Sequence, residues 1–384
     1  MVALDGAAGE SGAGVAAGRP LADLLPAVCH VLGLPGLPPG CAWLEAPLAG
    51  VRHAVVLLVD GLGAEQLAER RSHAPTLAGL TELGPLDAPF PSTTCVSLTS
   101  LGTGLPPGMH GIVGTAFRLD DGTVLAPLSW KDDPNPIATQ PEPTLLERAA
   151  AAGIRVVSAA PLAHRSSGLT RAALRGGEYP GAETAADRIR VTAEALAAAA
   201  AAGRCSLTYV YWPDLDKAGH VHGVASAQYR QALAAVDRLV AGIVDVLPPD
   251  AALLVTADHG LVDVPDDRRV DLEADPALRV GVEAILGEPR VRHVYAEPGQ
   301  AEAVLARWRR LLAGRAEVRS RAEVAALLGP VDEWHADRIG DVVAIAGEDW
   351  ALVSERVDRM VSSLRGQHGG REPAEVRVPL LLGR

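Results

Sequence analysis

The chain has 384 residues, 48% of them apolar, enough for one large α/β domain with an insertion or two domains around a cleft. Its formal charge of −12, without a dense basic run, argues against a nucleic-acid groove or an anionic membrane surface as partner. Aromatics make up only 3%, so the core must rest on Ala, Val and Leu, and the four scattered cysteines give neither a disulfide framework nor a zinc ribbon.

Residues 1–45 are expected to form a leader and a helical N-terminal segment. The opening stretch has neither the basic start nor the apolar run of a signal peptide. His53–Val59, HAVVLLV, is a continuous apolar run, the pattern of a strand buried on both faces of a parallel sheet. It ends at Asp60-Gly61 and passes into a helical stretch, Ala64–Arg71. Phe90-Pro-Ser-Thr-Thr94 then precedes a small-residue helical stretch reaching Gly102.

Further strand-like runs follow at Ile154–Ala159, Leu207–Trp212 and Ala251–Thr256, with helical patterns at Ala185–Ala202 and Ala225–Val246. In the second helix Tyr229, Leu233, Val236, Val240 and Ile243 form an amphipathic stripe. This alternation predicts an α/β fold with a mostly parallel central sheet sandwiched by helices. Residues 46–261 and 366–384 would make that core. Residues 262–365, richer in Arg, Glu and Asp, would make a smaller α+β cap-like insertion. It carries a helix near Ala301–Ala313 and strands at Arg292–Ala296 and Val342–Ala346. No apolar run is long enough to span a membrane, and the expected location is the cytoplasm.

Several of these segments end in residues that can do chemistry. Asp60, Asp216 and Asp258 each fall at or just beyond the C-terminal end of a strand, the edge where open α/β sheets gather their ligands. Asp216 and His220 are one helical turn apart and can face one ion, with Asp214 and His222 as the alternative pair or as hydrogen-bonding partners of the ligands. Asp258-His259-Gly260 sits on a turn after a strand, where both side chains can reach a cation, or where the Asp is merely solvated and the His packed. His368 lies between glycines in Arg365-Gly-Gln-His-Gly-Gly370. A hydroxyl of Thr93 or Thr94 lies near a helix N-terminus, where it either caps the helix or meets a phosphate. Three carboxylates, three imidazoles and one hydroxyl suit two closely spaced divalent cations and a nucleophile.

The segments LLVDGLG, FPSTT, DKAGH, TADHG and GQHGG, in that order from about residue 53 to residue 380, resemble the alkaline phosphatase superfamily. Within it the resemblance is to the nucleotide pyrophosphatase/phosphodiesterase branch. It implies a di-zinc enzyme with one metal at Asp60, Thr94, Asp258 and His259 and the other at Asp216, His220 and His368. Thr94 would be the nucleophile, forming a phospho-threonine that is then hydrolysed. The implied substrate is a small phosphorylated molecule with a phosphodiester or pyrophosphate bond, a nucleotide among the candidates. Oligomeric state is left open.

Two positions depart from the branch. Where its phosphodiesterases show T-F-P-N, this chain has Thr94-Cys-Val-Ser97. Where they place an asparagine on a phosphoryl oxygen, counting along His110-Gly-Ile-Val113-Gly114 gives Thr115, a single hydroxyl donor. A monoesterase or mutase-like enzyme, or a non-catalytic metal or nucleotide binder, are the alternatives on the same residues. A sulfatase is rejected, since Cys95 lacks the C-x-P-S-R pattern; it reads as a small buried residue. The insertion is expected to frame the leaving-group pocket, with Trp334, His335 and Arg338 as candidates by their chemistry, while the sequence does not place Lys131 or Lys217, the only lysines, at the phosphate.

Overall fold

The computed structural model describes residues 18–38, 40–130 and 134–384. Strand β1, His53–Val59, is buried along its whole length. That is what its unbroken apolar run demands, since no residue of it can face water. It pairs in parallel with β3, Ser206–Trp212, on one side and β4, Ala251–Thr256, on the other, while β2, Arg155–Ala159, pairs with β3. The antiparallel strand Leu381–Gly383 then adds to β4, and Thr81–Glu82 closes that edge. The central sheet is therefore mostly parallel, with helices covering it.

The helices follow their apolar stripes. Helix α1 spans Thr94–Thr103, α2 Ala185–Ala201, α3 Asp214–His222 and α4 Ala227–Val244. On α4, Tyr229, Leu233, Val236, Val240 and Ile243 are all fully buried. Helix α2 starts with a capping box between Thr184 and Asp187, which satisfies two otherwise unpaired N–H groups.

The insertion builds its own antiparallel sheet from β5 (Val282–Glu288), β6 (Val291–Ala296), β7 (Ala316–Ser320) and β8 (Val342–Ala346), in the order β5-β6-β8-β7. Alternation along β8 splits its side chains. Val342 and Ala344 join a separate core with Trp308, whereas Val343 and Ile345 join the main core. Val262–Asp263 pairs with Gly366–Gln367 in a small separate sheet, so the two ends of the insertion lie side by side. That pairing carries His368 back to the end of β4.

The N-terminal segment is integrated from residue 18 onward. Leu21, Leu24, Leu25 and Val28 are buried in the same core as β1, and Arg19–Pro20 pairs with Leu86–Asp87. Residues 1–17 of the expected leader lie outside the described residues, as does Lys131. Among the described residues no helix is long and apolar enough to cross a membrane.

Candidate active site

The seven expected ligands meet at the C-terminal edge of the central sheet. Asp60 follows β1 directly, and the chain then turns at Gly61, where φ is +74°. A Cβ there would lie 2.9 Å from the Asp216 Cα, so the approach of the two segments requires glycine. The Gly61 N–H donates to Asp258 Oδ1 at 3.2 Å, fixing the carboxylate beyond β4. Helix α3 presents Asp216 and His220 from one face, with Asp216 Oδ2 3.2 Å from His220 Nε2. An isolated bridge between Ser92 and Gly369 joins the loop before α1 to the loop of His368.

All three imidazoles are oriented by the same device. Nδ1 of His259 lies 3.1 Å from the Gly260 carbonyl oxygen, that of His220 2.7 Å from Gly366 O, and that of His368 3.0 Å from Ser92 O. A carbonyl can only accept, so each Nδ1 carries a proton and Nε2 is the nitrogen available to a cation. Nε2 of His259 faces Thr94 Oγ1 at 3.1 Å, Asp60 Oδ1 at 3.5 Å and Asp258 Oδ2 at 3.6 Å. The rings of His259 and His368 stack at 3.6 Å, and His220 lies 5.0 Å from His368.

The carboxylates are poorly compensated by protein alone. Asp60 Oδ1, Asp216 Oδ1 and Asp258 Oδ2 are buried without a hydrogen-bond partner among the described residues. Burial, then the charges of Asp258 and Asp216, push the Asp60 carboxyl well above its ordinary range. Burial also raises Asp258. His368 is held well below the usual imidazole range by burial and by the neighbouring His259 and His220 rings, which keeps it neutral. Ligand atoms of Asp60, Asp258 and His259 lie within 4.8 Å of one another, as do those of Asp216, His259 and His368. Unpaired carboxylate oxygens beside imidazole nitrogens form a donor set that fits divalent cations.

Asp214 lies on the rim in an ion pair with Lys217, and His222 is exposed, so neither joins the cluster. Thr93 occupies the N-cap position of α1 without making a capping bond, and Thr94 is the hydroxyl that faces His259. Thr115 Oγ1 is buried without a partner among the described residues, next to Gly114, whose carbonyl accepts the Cys95 thiol at 3.2 Å. Cys95 is fully buried, and burial pushes its thiol well up.

A cavity of about 490 Å³ opens beside Thr94 and Asp60, lined by residues of β2, β3, α1, the start of α3 and the connections between them. The insertion contributes no residue to this cavity. Its residues His335 and Arg338 instead bond the carbonyls of Gly108 and Gly111, because its sheet packs against that side of the core, and Trp334 is exposed. The insertion reaches the site from behind. Its buried Glu288 carboxylate approaches His368 Nδ1 at 3.9 Å, and Arg290 pairs with Glu375 below the Gly369-Gly370 loop.

These supporting residues were not singled out from the sequence, nor was Tyr211, whose hydroxyl donates to Asp60 Oδ2. Tyr211 lies inside a buried strand and reads there as core. Glu288, Arg290 and Glu375 depend on contacts across eighty or more residues, for which a single sequence holds no signal.

The sequence model for type I phosphodiesterase / nucleotide pyrophosphatase matches residues 54–371. None of the curated proteins matches in sequence. Among solved structures, murine ectonucleotide pyrophosphatase / phosphodiesterase 5 aligns with a TM-score of 0.67 at 18% identity, over 85% of this chain and 87% of that one. An inactive variant of the same protein in complex with AMP aligns at 0.66 and 18%, with the same coverage. Phosphonoacetate hydrolase from Sinorhizobium meliloti 1021, in complex with phosphonoformate, aligns at 0.65 and 20% identity, over 88% of this chain and 91% of that one. At such identities these likenesses establish a shared fold.

Proposed function

The chain belongs to the type I phosphodiesterase / nucleotide pyrophosphatase family and is a hydrolase of phosphate ester or phosphoanhydride bonds; on that premise we propose a di-zinc phosphodiesterase that works through a phospho-threonine at Thr94. The observation that carries this reading is the shared orientation of the three imidazoles, each with Nδ1 bound to a main-chain carbonyl, beside carboxylate oxygens that are buried and unpaired among the described residues. Asp60, Thr94, Asp258 and His259 would hold one ion, and Asp216, His220 and His368 the other. Zinc suits these oxygen and nitrogen donors, and bound ions would supply Lewis acidity at the phosphoryl and threonine oxygens.

The protein's own contribution is placement. Thr94 Oγ1 stands at the first turn of α1, where free N–H groups favour a phosphoryl oxygen. Its bond to phosphorus forms as the bond to the leaving oxygen breaks, and water then splits the phospho-threonine. Thr115 would donate its one hydroxyl to a phosphoryl oxygen in place of the family's asparagine. Tyr211 holds Asp60 in place by donating a hydrogen bond from its hydroxyl to Asp60 Oδ2. A nucleotide is the first substrate to try, given the AMP bound by the murine neighbour.

The hydroxyl at Thr115 supports monoester hydrolysis as the second reading, because a preorganised amide donor to a diester oxygen is missing. Acid-quenched protein, taken during turnover of a diester, tests the proposal by mass spectrometry. The Thr94 peptide should carry the phosphoryl adduct in the wild type and lose it in Thr94→Ala. Turnover by Thr94→Ala at the wild-type rate would remove the covalent mechanism.

A further inference from the structure

Two buried polar side chains of the insertion serve neither metal binding nor nucleophilic attack, yet both press on the segments that do. Strands β5 and β6 pair antiparallel, with Glu288 opposite Val291 and Leu286 opposite His293. Alternation along the strands puts Glu288, Val291 and His293 on one face. Val291 there belongs to the main core, whereas Ile285 and Val294 on the other face belong to the insertion's own core. Glu288 is 5% exposed and His293 1%. Polar groups buried to this degree are costly, so their placement against the site calls for a reason.

Glu288 bears on the segments that flank the nucleophile. Its Oε2 lies 3.9 Å from His368 Nδ1. A Cβ on Gly369, where φ is +119°, would stand 2.7 Å from the Glu288 Cδ and Oε1, so the carboxyl fills the space a side chain would take. Glu288 also faces the Thr93 hydroxyl, which in turn lies beside the Cys95 thiol. It therefore backs a seam already closed by Ser92, whose N–H donates to the Gly369 carbonyl at 3.1 Å and whose hydroxyl donates to the Gly370 carbonyl at 2.9 Å.

His293 bears on a third segment. The Gly340 N–H donates to its Nδ1 at 3.2 Å, so the neutral ring carries its proton on Nε2. Burial pushes the ring down from 6.5 to about 4, which keeps it in that form. Nε2 is turned toward the Val113 carbonyl, and a Cβ on Gly114 would stand 3.3 Å from it. Thr115 follows directly, and the Gly114 carbonyl is the one that accepts the Cys95 thiol. Neither Glu288 nor His293 lines the cavity beside Thr94.

We propose that Glu288 and His293 are positioning residues for phosphoryl transfer, Glu288 holding the His368 loop against the first turn of α1 and His293 holding the Val113–Thr115 segment toward the same point. The insertion then acts on the chemical step from behind, without touching substrate. This assignment rests on the phosphoester reading of the site. A shift of about 1 Å in such supports is enough to cost roughly 10²-fold in rate.

The test compares Glu288→Leu, Glu288→Gln and His293→Phe on bis(p-nitrophenyl) phosphate, with zinc uptake followed separately by a chromophoric chelator. Glu288→Leu should lower kcat about 10–100-fold with KM within about twofold, because it moves the reacting groups and leaves the cavity intact. It should also weaken uptake of one of two zinc ions about tenfold, through His368. Glu288→Gln fills the same space with a donor and an acceptor, and should restore both readouts to near wild type. His293→Phe keeps the ring and loses the N–H, so kcat should fall while zinc uptake stays unchanged. Wild-type kcat in Glu288→Leu and His293→Phe, or a Glu288→Gln as impaired as Glu288→Leu, overturns the assignment. Zinc uptake separates it from the catalytic reading. In a protein that hydrolyses no ester, uptake weakened in Glu288→Leu and restored in Glu288→Gln would reject the chemistry and retain Glu288 as the support of His368. Unchanged uptake in Glu288→Leu overturns that support.

Discussion

The Arg290 guanidinium and the Glu375 carboxylate form a fully buried two-pronged pair, Nε to Oε1 at 2.9 Å and Nη2 to Oε2 at 2.8 Å. Glu375 also accepts the Gly370 N–H on Oε1 at 2.9 Å, and its carbonyl accepts the Gly260 N–H at 2.8 Å. One residue thus ties down the loops of His259 and His368, and the pair ties both to the insertion. Arg290→Met should cost about 3–5 kcal/mol in chemical denaturation, because it strands a buried carboxylate. Arg290→Met with Glu375→Leu should recover much of that stability yet stay impaired in kcat/KM, since Gly370 loses its acceptor.

Gly61 separates backbone from ligand at the tightest point of the site. Gly61→Ala must hold φ near +74° and push a methyl group into Asp216, whose Cα and Cβ would stand 2.9 Å away. The backbone cost alone is roughly 1–2 kcal/mol. Displacing Asp216 should weaken zinc binding by about 10–100-fold, read by competition with a chromophoric chelator.

The strands and helices that carry these residues were legible because burial on both faces leaves an unbroken apolar run. β1 and β4 match their expected bounds, and the stripe on α4 is the buried one. Leu381–Gly383 and β5 escaped notice, as short or mixed runs whose pairing is set by distant partners. The convergence of the seven candidate positions was legible, since they fall at strand ends, on one helix turn or in short segments beside the sheet edge. Their orientation was not. It depends on carbonyls at Gly260, Gly366 and Ser92 that no side-chain pattern encodes.

Acid should destabilise the protein through His110. Its Nδ1 accepts the Ile112 N–H at 3.2 Å and its Nε2 lies 2.9 Å from Ser100 Oγ, so the folded ring is neutral. Burial, then the nearby His335, push it down from 6.5 to about 3. The unfolded chain therefore binds the extra proton between those values, and stability is present above 6.5 and lost as pH falls toward 3. The slope from this group is at most about 1.4 kcal/mol per pH unit. His110→Asn keeps an acceptor for Ile112 but cannot titrate. Its denaturation midpoint should start lower at pH 7.5 and fall less steeply to pH 5.

Replacing the nucleophile should separate chemistry from folding. Thr94→Ala should lower kcat on a diester by at least about 10³-fold while leaving the melting temperature close to wild type, and Thr94→Ser should retain measurable turnover. Equal loss in Ala and Ser would point away from the hydroxyl.

The most direct measurement is hydrolysis of a chromogenic phosphodiester and a matched monoester by the same protein, first as purified, then after chelation, then after zinc is restored. The account predicts diester hydrolysis that chelation abolishes and zinc returns, with the monoester slower throughout. Diester hydrolysis that survives complete chelation would contradict it.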